Sequence, residues 1–264
     1  MGLLRLSLGV VAAALFLLCL GPARAIAKHF GWRFGRRLPV AFHRLLCAAL
    51  GLSVRRMGTP SDAPIRLIVS NHVSWLDIVA LGSAEPMTFL AKKEVGNSLL
   101  GRIVMALQGG IYVDRRRKRV IPEVNATMAR AMRNGEPVAL FAEATTGDGA
   151  RLLRFRSAHF DSVILARASG VARAEVQPIY LRYSRIAGLP VARIDLPIVA
   201  WYGDMTFMPH LFRVARSGGV TCEVHFGEPL PVGPEATAKA LAQATEQAVR
   251  RLAGRARKLT EGKP

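Results

Sequence analysis

Cysteine is scarce in this chain of 264 residues, and the three cysteines present are widely separated. Cys19, Cys47 and Cys222 lack the spacing of a metal site or of a redox pair, so neither kind of site is predicted from them. Their odd number favours a reducing compartment. The chain also lacks internal repeats and low-complexity segments, and its length suits one full-sized domain with appendages.

Acidic residues are also few: 18 Asp and Glu stand against 37 Lys and Arg, a formal net charge of +19. Hydrophobic residues nevertheless make up 51% of the chain. This combination is typical of a protein on an anionic membrane surface, where each basic residue contributes on the order of 1 kcal/mol. Nucleic acid is the competing partner, but the basic residues are spread along the chain without a nucleic-acid-binding motif. We therefore predict contact with anionic lipids and none with nucleic acid.

One long apolar run, from Leu6 to Leu20, lies between Arg5 and Arg24. As a helix it is roughly 22 Å long, which is shorter than the ~30 Å hydrocarbon core of a bilayer. Residues 23–25 also resemble a signal-peptidase site, so secretion is an alternative. Basic residues are concentrated after the run, which favours a cytoplasmic location for the following chain. We predict an uncleaved anchor in the inner (cytoplasmic) membrane, with the catalytic domain on the cytoplasmic side.

A second segment, from Ile26 to Leu52, mixes basic, aromatic and leucine residues, and Pro39 is expected to bend or divide its helix. Such a composition is typical of a helix in the lipid headgroup layer. An ordinary core-packing helix is the alternative. Together the two segments predict a membrane-embedding helical pair over residues 1–58.

Beyond residue 58 the pattern alternates between strands and helices, which predicts an α/β domain over residues 59–232 with a mixed, largely parallel sheet covered by helices. A basic, alanine-rich helix from Pro234 to Arg257 is expected in the C-terminal part, residues 233–264. The predicted strands are Ile65–Val69, Met87–Ala91, Gly110–Val113, Val138–Phe141, Val176–Arg182 and Thr221–Phe226. The predicted helices between them are Trp75–Leu81, Ser98–Leu107, Val120–Met132 and Ala158–Ala168.

The stretch from Asn71 to Asp77 follows the first of these strands and carries a candidate catalytic pair. His72 and Asp77 lie five residues apart, so they can meet only if the chain bends between a strand and a helix. A carboxylate on one ring nitrogen leaves the other nitrogen free to accept a proton. The alternative to a catalytic pair is that Asp77 is an ordinary residue of the first helical turn, where the helix dipole favours a carboxylate. Ser74 is a conceivable nucleophile, but we expect it to cap the helix.

Polar residues follow or interrupt three later strands. Because ligands bind beyond the carboxyl ends of strands in α/β sheets, Arg115 is a candidate phosphate clamp. Glu143 and Thr145 are candidates to hydrogen-bond a polyol, and Pro178 interrupts a further strand. Taken singly, each is more often a surface loop residue. Arg151, Arg154 and Arg156 form a basic cluster for lipid or donor phosphates, or a solvated face. Residues 201–216 are expected to be a loop and short helix over the candidate site, or core packing.

Four motif blocks in this order resemble the glycerolipid acyltransferase family, which includes bacterial 1-acylglycerol-3-phosphate acyltransferase. The blocks are Asn71-His72-x4-Asp77, Gly110-Ile111-Tyr112-Val113-x-Arg115, Phe141-x-Glu143-x-Thr145 and the strand with Pro178.

The resemblance implies a role for each block. His72 would be the general base and Asp77 its orienting partner. Arg115 would bind the phosphate of the acceptor, with Gly110 allowing close approach. Glu143 and Thr145 would position the glycerol, and Pro178 would shape the acyl-donor side. The donor would be acyl-CoA or acidic acyl carrier protein, with no metal and no cofactor.

The third block departs from the family pattern, because Ala142 and Ala144 stand where proline and glycine are usual. Alanine disfavours positive φ, so a rebuilt turn is expected if the family glycine uses one. The following stretch, from Thr146 to Arg151, resembles a subgroup that includes lyso-ornithine lipid acyltransferases. We predict acylation of the sn-2 hydroxyl of lysophosphatidic acid in phospholipid biosynthesis. The alternatives are acylation of lyso-ornithine lipid and a catalytically idle membrane-binding protein.

Overall fold

The computed structural model describes residues 2–30, 33–92, 110–113, 120–168, 170 and 173–261. The helices are α1 (Gly2–His29), α2 (Leu38–Leu50), α3 (Leu76–Ala84), α4 (Ile121–Arg133), α5 (Asp161–Arg167), α6 (Leu196–Val199), α7 (Phe207–Arg216) and α8 (Ala238–Glu261). The strands are β1 (Leu52–Met57), β2 (Ile65–Ser70), β3 (Thr88–Lys92), β4 (Ile111–Val113), β5 (Val138–Phe141), β6 (Ala174–Ile186), β7 (Leu189–Pro190), β8 (Val220–Phe226) and β9 (Leu230–Pro231).

The strands form one mixed sheet in the order β1-β8-β6-β2-β5-β3-β4, and β7 and β9 pair with β6. The run from β6 through β2, β5 and β3 to β4 is parallel, whereas β8 is antiparallel to β6. The predicted α/β fold with a largely parallel sheet is therefore confirmed.

The central strand β2 is apolar on both sides because helices cover both faces of the sheet. Successive side chains of a strand point to opposite faces. Leu67 and Val69 belong to the core that α4, α5 and α8 cover. Ile68 belongs to the core beneath α2 and α3. This double cover sets the carboxyl end of β2, and the turn after it, at one edge of the sheet.

Several predicted boundaries differ from the structure. Strand β6 is longer than predicted and helix α5 is shorter. Strand β1 was missed because only its first residue, Leu52, is buried and its polar positions obscure the strand pattern. Within the segment predicted to anchor the chain, β1 pairs with β8. The predicted helix over 98–107 lies outside the described residues.

Helices α1 and α2 form the predicted helical pair, and Pro39 lies in the first turn of α2, where a proline is tolerated. The pair packs closely: a Cβ at Gly9 would lie 2.1 Å from the Cβ of Ala49. Residues Gly2–Cys19 of α1 have a mean hydropathy of 2.2 and are long and apolar enough to cross a membrane. Most of their large side chains are exposed, including Leu4, Leu8 and Leu18.

Both ends of this helical pair contact the α/β body. The Arg5 guanidinium donates to the carbonyls of Leu50 and Ala215, at 3.0 and 3.4 Å. At the opposite end, Arg36 donates to the carbonyls of Asn134 and Gly135, at 3.0 and 3.1 Å. The pair therefore lies along the body and does not project from it.

Candidate active site

The turn after β2 is held to the neighbouring strand by the side chain of Asn71. Its Oδ1 accepts from the backbone N–H of Leu181 at 2.8 Å, and its Nδ2 donates to the Leu181 carbonyl at 3.1 Å. An asparagine amide carries the same donor and acceptor as a peptide group. Asn71 therefore continues the β2–β6 pairing by one step beyond Ser70, and sequence reasoning gave it no such role.

His72 and Asp77 meet as the sequence predicted, because the chain turns before α3 begins at Leu76. Nδ1 of His72 lies 2.8 Å from Oδ2 of Asp77. The same carboxylate oxygen accepts from the backbone N–H of Val73 at 2.6 Å and of Ser74 at 2.9 Å. Asp77 is fully buried, and acceptance by its carboxylate fixes Nδ1 of His72 as the protonated nitrogen. Nε2 is then available to accept a proton.

The second oxygen of Asp77 is occupied by a residue that sequence reasoning missed. The Tyr183 hydroxyl donates to Oδ1 at 2.6 Å across 106 positions of the chain. Burial raises the pKa of Tyr183 well above its ordinary value, and the Asp77 charge adds to the effect, so the hydroxyl stays protonated. The feature that could have revealed this contact is the strand register. Strand β6 extends beyond the end of β2, and this places Tyr183 beside the turn.

The predicted capping role of Ser74 is wrong. The residue preceding α3 is Trp75, and no side chain caps this helix. The Ser74 hydroxyl is buried and has no hydrogen-bond partner among the described residues. The Asp77 carboxylate accepts from the turn N–H groups instead. Complete burial also excludes Ser74 as an accessible nucleophile in this conformation.

The imidazole of His72 stacks on Phe141, the last residue of β5. The ring centroids are 3.9 Å apart and the planes differ by 14°. The His72 side chain is 18% exposed, so solvent reaches only part of the ring. Stacking on one face and the Asp77 contact at Nδ1 together fix the orientation of the ring.

Glu143 supports the His72 turn from the neighbouring loop. Its Oε2 accepts from the backbone N–H of His72 at 2.8 Å, and its Oε1 accepts from the backbone N–H of Leu153 at 2.8 Å. Burial raises the pKa of this carboxyl, and the two N–H bonds partly oppose the rise. In addition, the N–H of Gly147 donates to the His72 carbonyl at 2.8 Å. The loops after β2 and β5 are therefore joined on both sides of His72.

The two alanines of this loop are accommodated differently. Ala142 is buried in the core, 2% exposed. Ala144 adopts a positive φ of 61°, the left-handed conformation that glycine would supply. The expectation that alanine would force the turn to be rebuilt is therefore wrong. The conformation is kept at a cost on the order of 1–2 kcal/mol for a residue with a Cβ.

The other predicted site residues are dispersed. Thr145 is exposed beside Ala144, and Gly110 is half-buried just before the edge strand β4. Pro178 is buried in β6, where its carbonyl accepts from Gly227 in the gap between β8 and β9. A proline is tolerated at that break because no ladder N–H is needed there. Arg115 lies outside the described residues, so its predicted phosphate contact remains a prediction.

The segment predicted to cover the acyl site contacts the His72 turn directly. The indole of Trp75 donates to Nδ1 of His210 at 3.0 Å, and Nε2 of His210 donates to the Ala200 carbonyl at 3.0 Å. This arrangement requires a neutral imidazole, and burial lowers the pKa of His210 accordingly. Phe207 packs edge-on against Trp75. Helix α7 and its preceding loop thus lie against the turn.

Comparison with known proteins identifies the class. The Acyltransferase family model matches residues 59–182. The chain is 37% identical over 254 residues to lyso-ornithine lipid O-acyltransferase of Brucella abortus (strain 2308), covering 95% of this chain and 94% of that protein. It is 32% identical to 1-acyl-sn-glycerol-3-phosphate acyltransferase of Neisseria gonorrhoeae, covering 72% and 70%.

The fold has a counterpart among crystal structures, the 1-acyl-sn-glycerophosphate (LPA) acyltransferase from Thermotoga maritima. The TM-score is 0.58 at 19% identity, with 95% of this chain and 94% of that chain covered. The fold and the relatives together define an acyltransferase. The chain belongs to the glycerolipid acyltransferase family, in the group that holds lysophosphatidic acid and lyso-ornithine lipid enzymes.

Proposed function

We propose that the protein transfers a fatty acyl group from an acyl thioester to the hydroxyl of lyso-ornithine lipid, giving ornithine lipid. The observation that carries this proposal is the 37% identity to the Brucella abortus enzyme over nearly the whole of both chains. The stretch from Thr146 to Arg151, which resembles the same subgroup, supports it.

Acylation of lysophosphatidic acid at sn-2, which the motif blocks favoured, is the second candidate. The Neisseria gonorrhoeae relative supports it over a smaller share of the chain. The candidates differ in the acceptor headgroup, since lysophosphatidic acid carries a phosphate and lyso-ornithine lipid carries a carboxylate and an ammonium. Arg115, the predicted phosphate ligand, is therefore the residue whose role separates them.

The proposed reaction begins at Nε2 of His72, which takes the proton of the acceptor hydroxyl while that oxygen attacks the thioester carbonyl. The new C–O bond gives a tetrahedral oxyanion. Its collapse breaks the C–S bond, and the departing thiolate receives the proton held at Nε2. The proton taken from the acceptor hydroxyl thus leaves with the thiol, and no covalent acyl-enzyme forms.

The surrounding residues keep the base ready for this step. Asp77 stabilises the imidazolium that forms, because its Oδ2 accepts from Nδ1. Tyr183 holds the other oxygen of Asp77. Glu143 holds the backbone of His72, and each of its oxygens retains a lone pair for an acceptor hydroxyl. A positioning role of Glu143 towards the acceptor is compatible with that arrangement.

We also propose attachment to the inner membrane, with the catalytic domain on the cytoplasmic side. The exposed apolar side chains of α1 supply the apolar contribution, and the net charge of +19 supplies the attraction to anionic lipids. Deleting residues 2–22 should make the remaining protein extractable by salt, because exposed charges are screened within about 10 Å at 0.1 M salt. The full-length protein should require detergent.

The test is acyl transfer by the purified full-length protein in detergent, with labelled acyl-CoA or acyl carrier protein as donor. Lyso-ornithine lipid and lysophosphatidic acid are offered separately as acceptors, with His72→Ala as the control for base-dependent transfer. Preference for lysophosphatidic acid would replace the first candidate by the second. Absence of transfer to either acceptor by correctly folded protein would favour an idle membrane-binding protein.

A further inference from the structure

A cavity of about 160 Å³ lies beside the His72 turn, at the carboxyl end of β2. It exists because β2 ends at Ser70, paired with Ile179, whereas β6 continues to Ile186. Asn71 and Val73, the two neighbours of His72, line it together with Glu143. In open α/β sheets this is the edge at which ligands bind.

Arginine dominates the charge of this cavity. Arg151, Arg182, Arg193 and Arg257 line it, and Glu143 is the one acidic residue among its described lining residues. Both oxygens of Glu143 already accept backbone N–H groups. Next to the cavity lies an outer groove of about 600 Å³, which shares Arg151, Arg193 and Arg257 with it and is lined by no acidic residue that the structure describes.

The fold holds these arginines at the groove. Arg182 donates to the Ala256 carbonyl, which fixes the end of α8 against β6, and Arg257 hydrogen-bonds the Tyr180 side chain on the cavity wall. Arg193 begins a short 3-10 turn in which Asp195 accepts from the N–H of Ala192 at 2.9 Å.

The loop that carries Arg151 is fixed as well. Gly149, with a φ of 77°, allows this loop to approach the His72 turn, since a Cβ there would lie 3.2 Å from Val73. The same Cβ would lie 3.4 Å from Leu196, so the arginine-bearing loops of both sides meet at this glycine. Arg154 and Arg156, the other members of the predicted basic cluster, do not line the groove.

We propose that this groove binds the phosphate of a pantetheine-borne acyl thioester, with the phosphate at the outer arginines and the thioester towards His72. The proposal rests on the acyl transfer proposed above. Guanidinium groups bind phosphate oxygens bidentately and more strongly than neutral donors do. The inner cavity adjoins the residues on either side of the base, which suits a narrow arm entering from the groove.

The charge of the groove fits the donor better than the acceptor. Lyso-ornithine lipid offers a carboxylate balanced by an ammonium, and the described groove has no free carboxylate to receive that ammonium. Coenzyme A instead carries a pyrophosphate and a 3′-phosphate, and a carrier protein presents a phosphodiester on an acidic surface. Both sources share a phosphate on pantetheine, so that group is the ligand assigned to the groove.

The experiment measures binding in the absence of an acceptor, so that it does not depend on catalysis. Coenzyme A, 3′-dephospho-coenzyme A, pantetheine and holo acyl carrier protein are titrated into full-length protein in detergent by isothermal calorimetry. The groove variant is Arg151→Gln/Arg193→Gln, because both side chains are exposed and lie outside the α-helices and strands. The matched control is Arg251→Gln/Arg255→Gln, which removes the same charge from exposed positions of α8 outside the groove.

Wild type and control should bind coenzyme A or holo carrier protein, and pantetheine should bind much more weakly. Loss of the two arginines should raise the Kd by roughly tenfold or more. Binding of coenzyme A or of holo acyl carrier protein shows which of the two is the acyl donor. If 3′-dephospho-coenzyme A binds more weakly than coenzyme A does, the 3′-phosphate contributes to binding. Unchanged melting temperatures verify that the variants are folded.

Three results would overturn the proposal. The first is equal affinity in the groove variant and the control. The second is failure of wild type to bind either phosphate-bearing ligand. The third is unaltered donor binding in the groove variant with a raised KM for lysophosphatidic acid, which would assign the groove to the acceptor. Donor binding without acyl transfer would overturn only the proposed function.

Discussion

Two buried carboxylates follow neighbouring strands, one in the first turn of α3 and one in the loop after β5, and they have different partners. Asp77, after β2, accepts from the His72 ring and from two N–H groups of its own turn. Glu143, after β5, accepts from the backbone N–H groups of His72 and of Leu153. Asp77 therefore orients the reacting ring in addition to fixing its own turn, whereas Glu143 acts only on the backbone that carries the ring.

This difference predicts two kinds of failure. Changes that remove the His72 ring or a single hydrogen bond to Asp77 should lower the rate while the fold is retained. Changes at Glu143 should lower rate and stability together, because two backbone N–H groups in different loops donate to its oxygens. The following substitutions, from the largest expected effect to the smallest, test that division.

Removing the base should have the largest effect. His72→Ala is expected to lower kcat by roughly 10²–10⁴, the usual contribution of a positioned general base. Asp77→Asn is expected to be comparable or milder, since the ring remains but loses its charged partner. Turnover and thermal melting of both purified variants are the measurements. Retention of most wild-type turnover by His72→Ala would remove His72 from the mechanism.

Glu143→Ala should impair both rate and stability. It leaves the N–H groups of His72 and Leu153 without their acceptors. The cost is about 1–3 kcal/mol for a group that water does not reach, and less where water replaces the carboxylate. Chemical denaturation gives the stability, and kcat gives the rate. Glu143→Gln is the control, because one amide oxygen can still accept. A normal melting curve for Glu143→Ala would contradict the backbone role.

Tyr183→Phe should produce a moderate loss of rate without a matching change in acceptor binding. The change removes one hydrogen bond to Asp77, which is worth about 1.5–3 kcal/mol for a charged acceptor, or roughly 10–100-fold in kcat. KM for the acceptor should remain close to the wild-type value. A KM increase with unchanged kcat would show that Tyr183 acts on substrate and not through Asp77.

Ala144→Gly should stabilise the fold slightly. Glycine adopts the φ of 61° without steric cost, but it loses more backbone entropy on folding, so the net gain should be below about 1 kcal/mol. Turnover should change only modestly, because Glu143 is already seated. If wild type were inactive on every acceptor and Ala144→Gly restored activity, the left-handed alanine would be a disabling change.

The smallest expected effect concerns pH. The pKa of Glu143 is raised by burial, so the folded protein binds this proton more readily than the unfolded chain does. The resulting penalty is present above the folded pKa and is relieved as the pH falls towards the ordinary value near 4.5. Wild type should therefore gain stability relative to Glu143→Gln over that acidic range. A constant difference between their unfolding free energies would contradict the burial effect.

The sequence predicted what local spacing controls. The bend between His72 and Asp77 follows from a strand and a helix separated by a short turn, so their contact could be predicted. The contacts of Tyr183 and Asn71 depend on the register of β6 against β2, which no local pattern encodes. The left-handed Ala144 was also unpredictable, because the surrounding loop imposes a conformation that alanine disfavours.

The helical pair shows the same limit at larger scale. Its hydropathy could be recognised in the sequence. Its placement along the body depends on the packing of α2 against α3 and on hydrogen bonds from Arg5 and Arg36 to distant carbonyls. The outer groove likewise gathers arginines from three separate parts of the chain. Only Arg151 among them was singled out beforehand, as a member of a basic cluster.

The junction between α2 and β1 has a consequence for how the proposed enzyme meets its substrates. Gly51 is the sole residue between the helix and the strand, and it has a φ of 69°. The connection is therefore too short to act as a flexible linker. A membrane-bound body fixed in this way has no tether, so His72 would stand at a constant height above the lipid plane. The acceptor would then be selected by the depth of its hydroxyl as well as by its headgroup, and encounter would be a search in two dimensions.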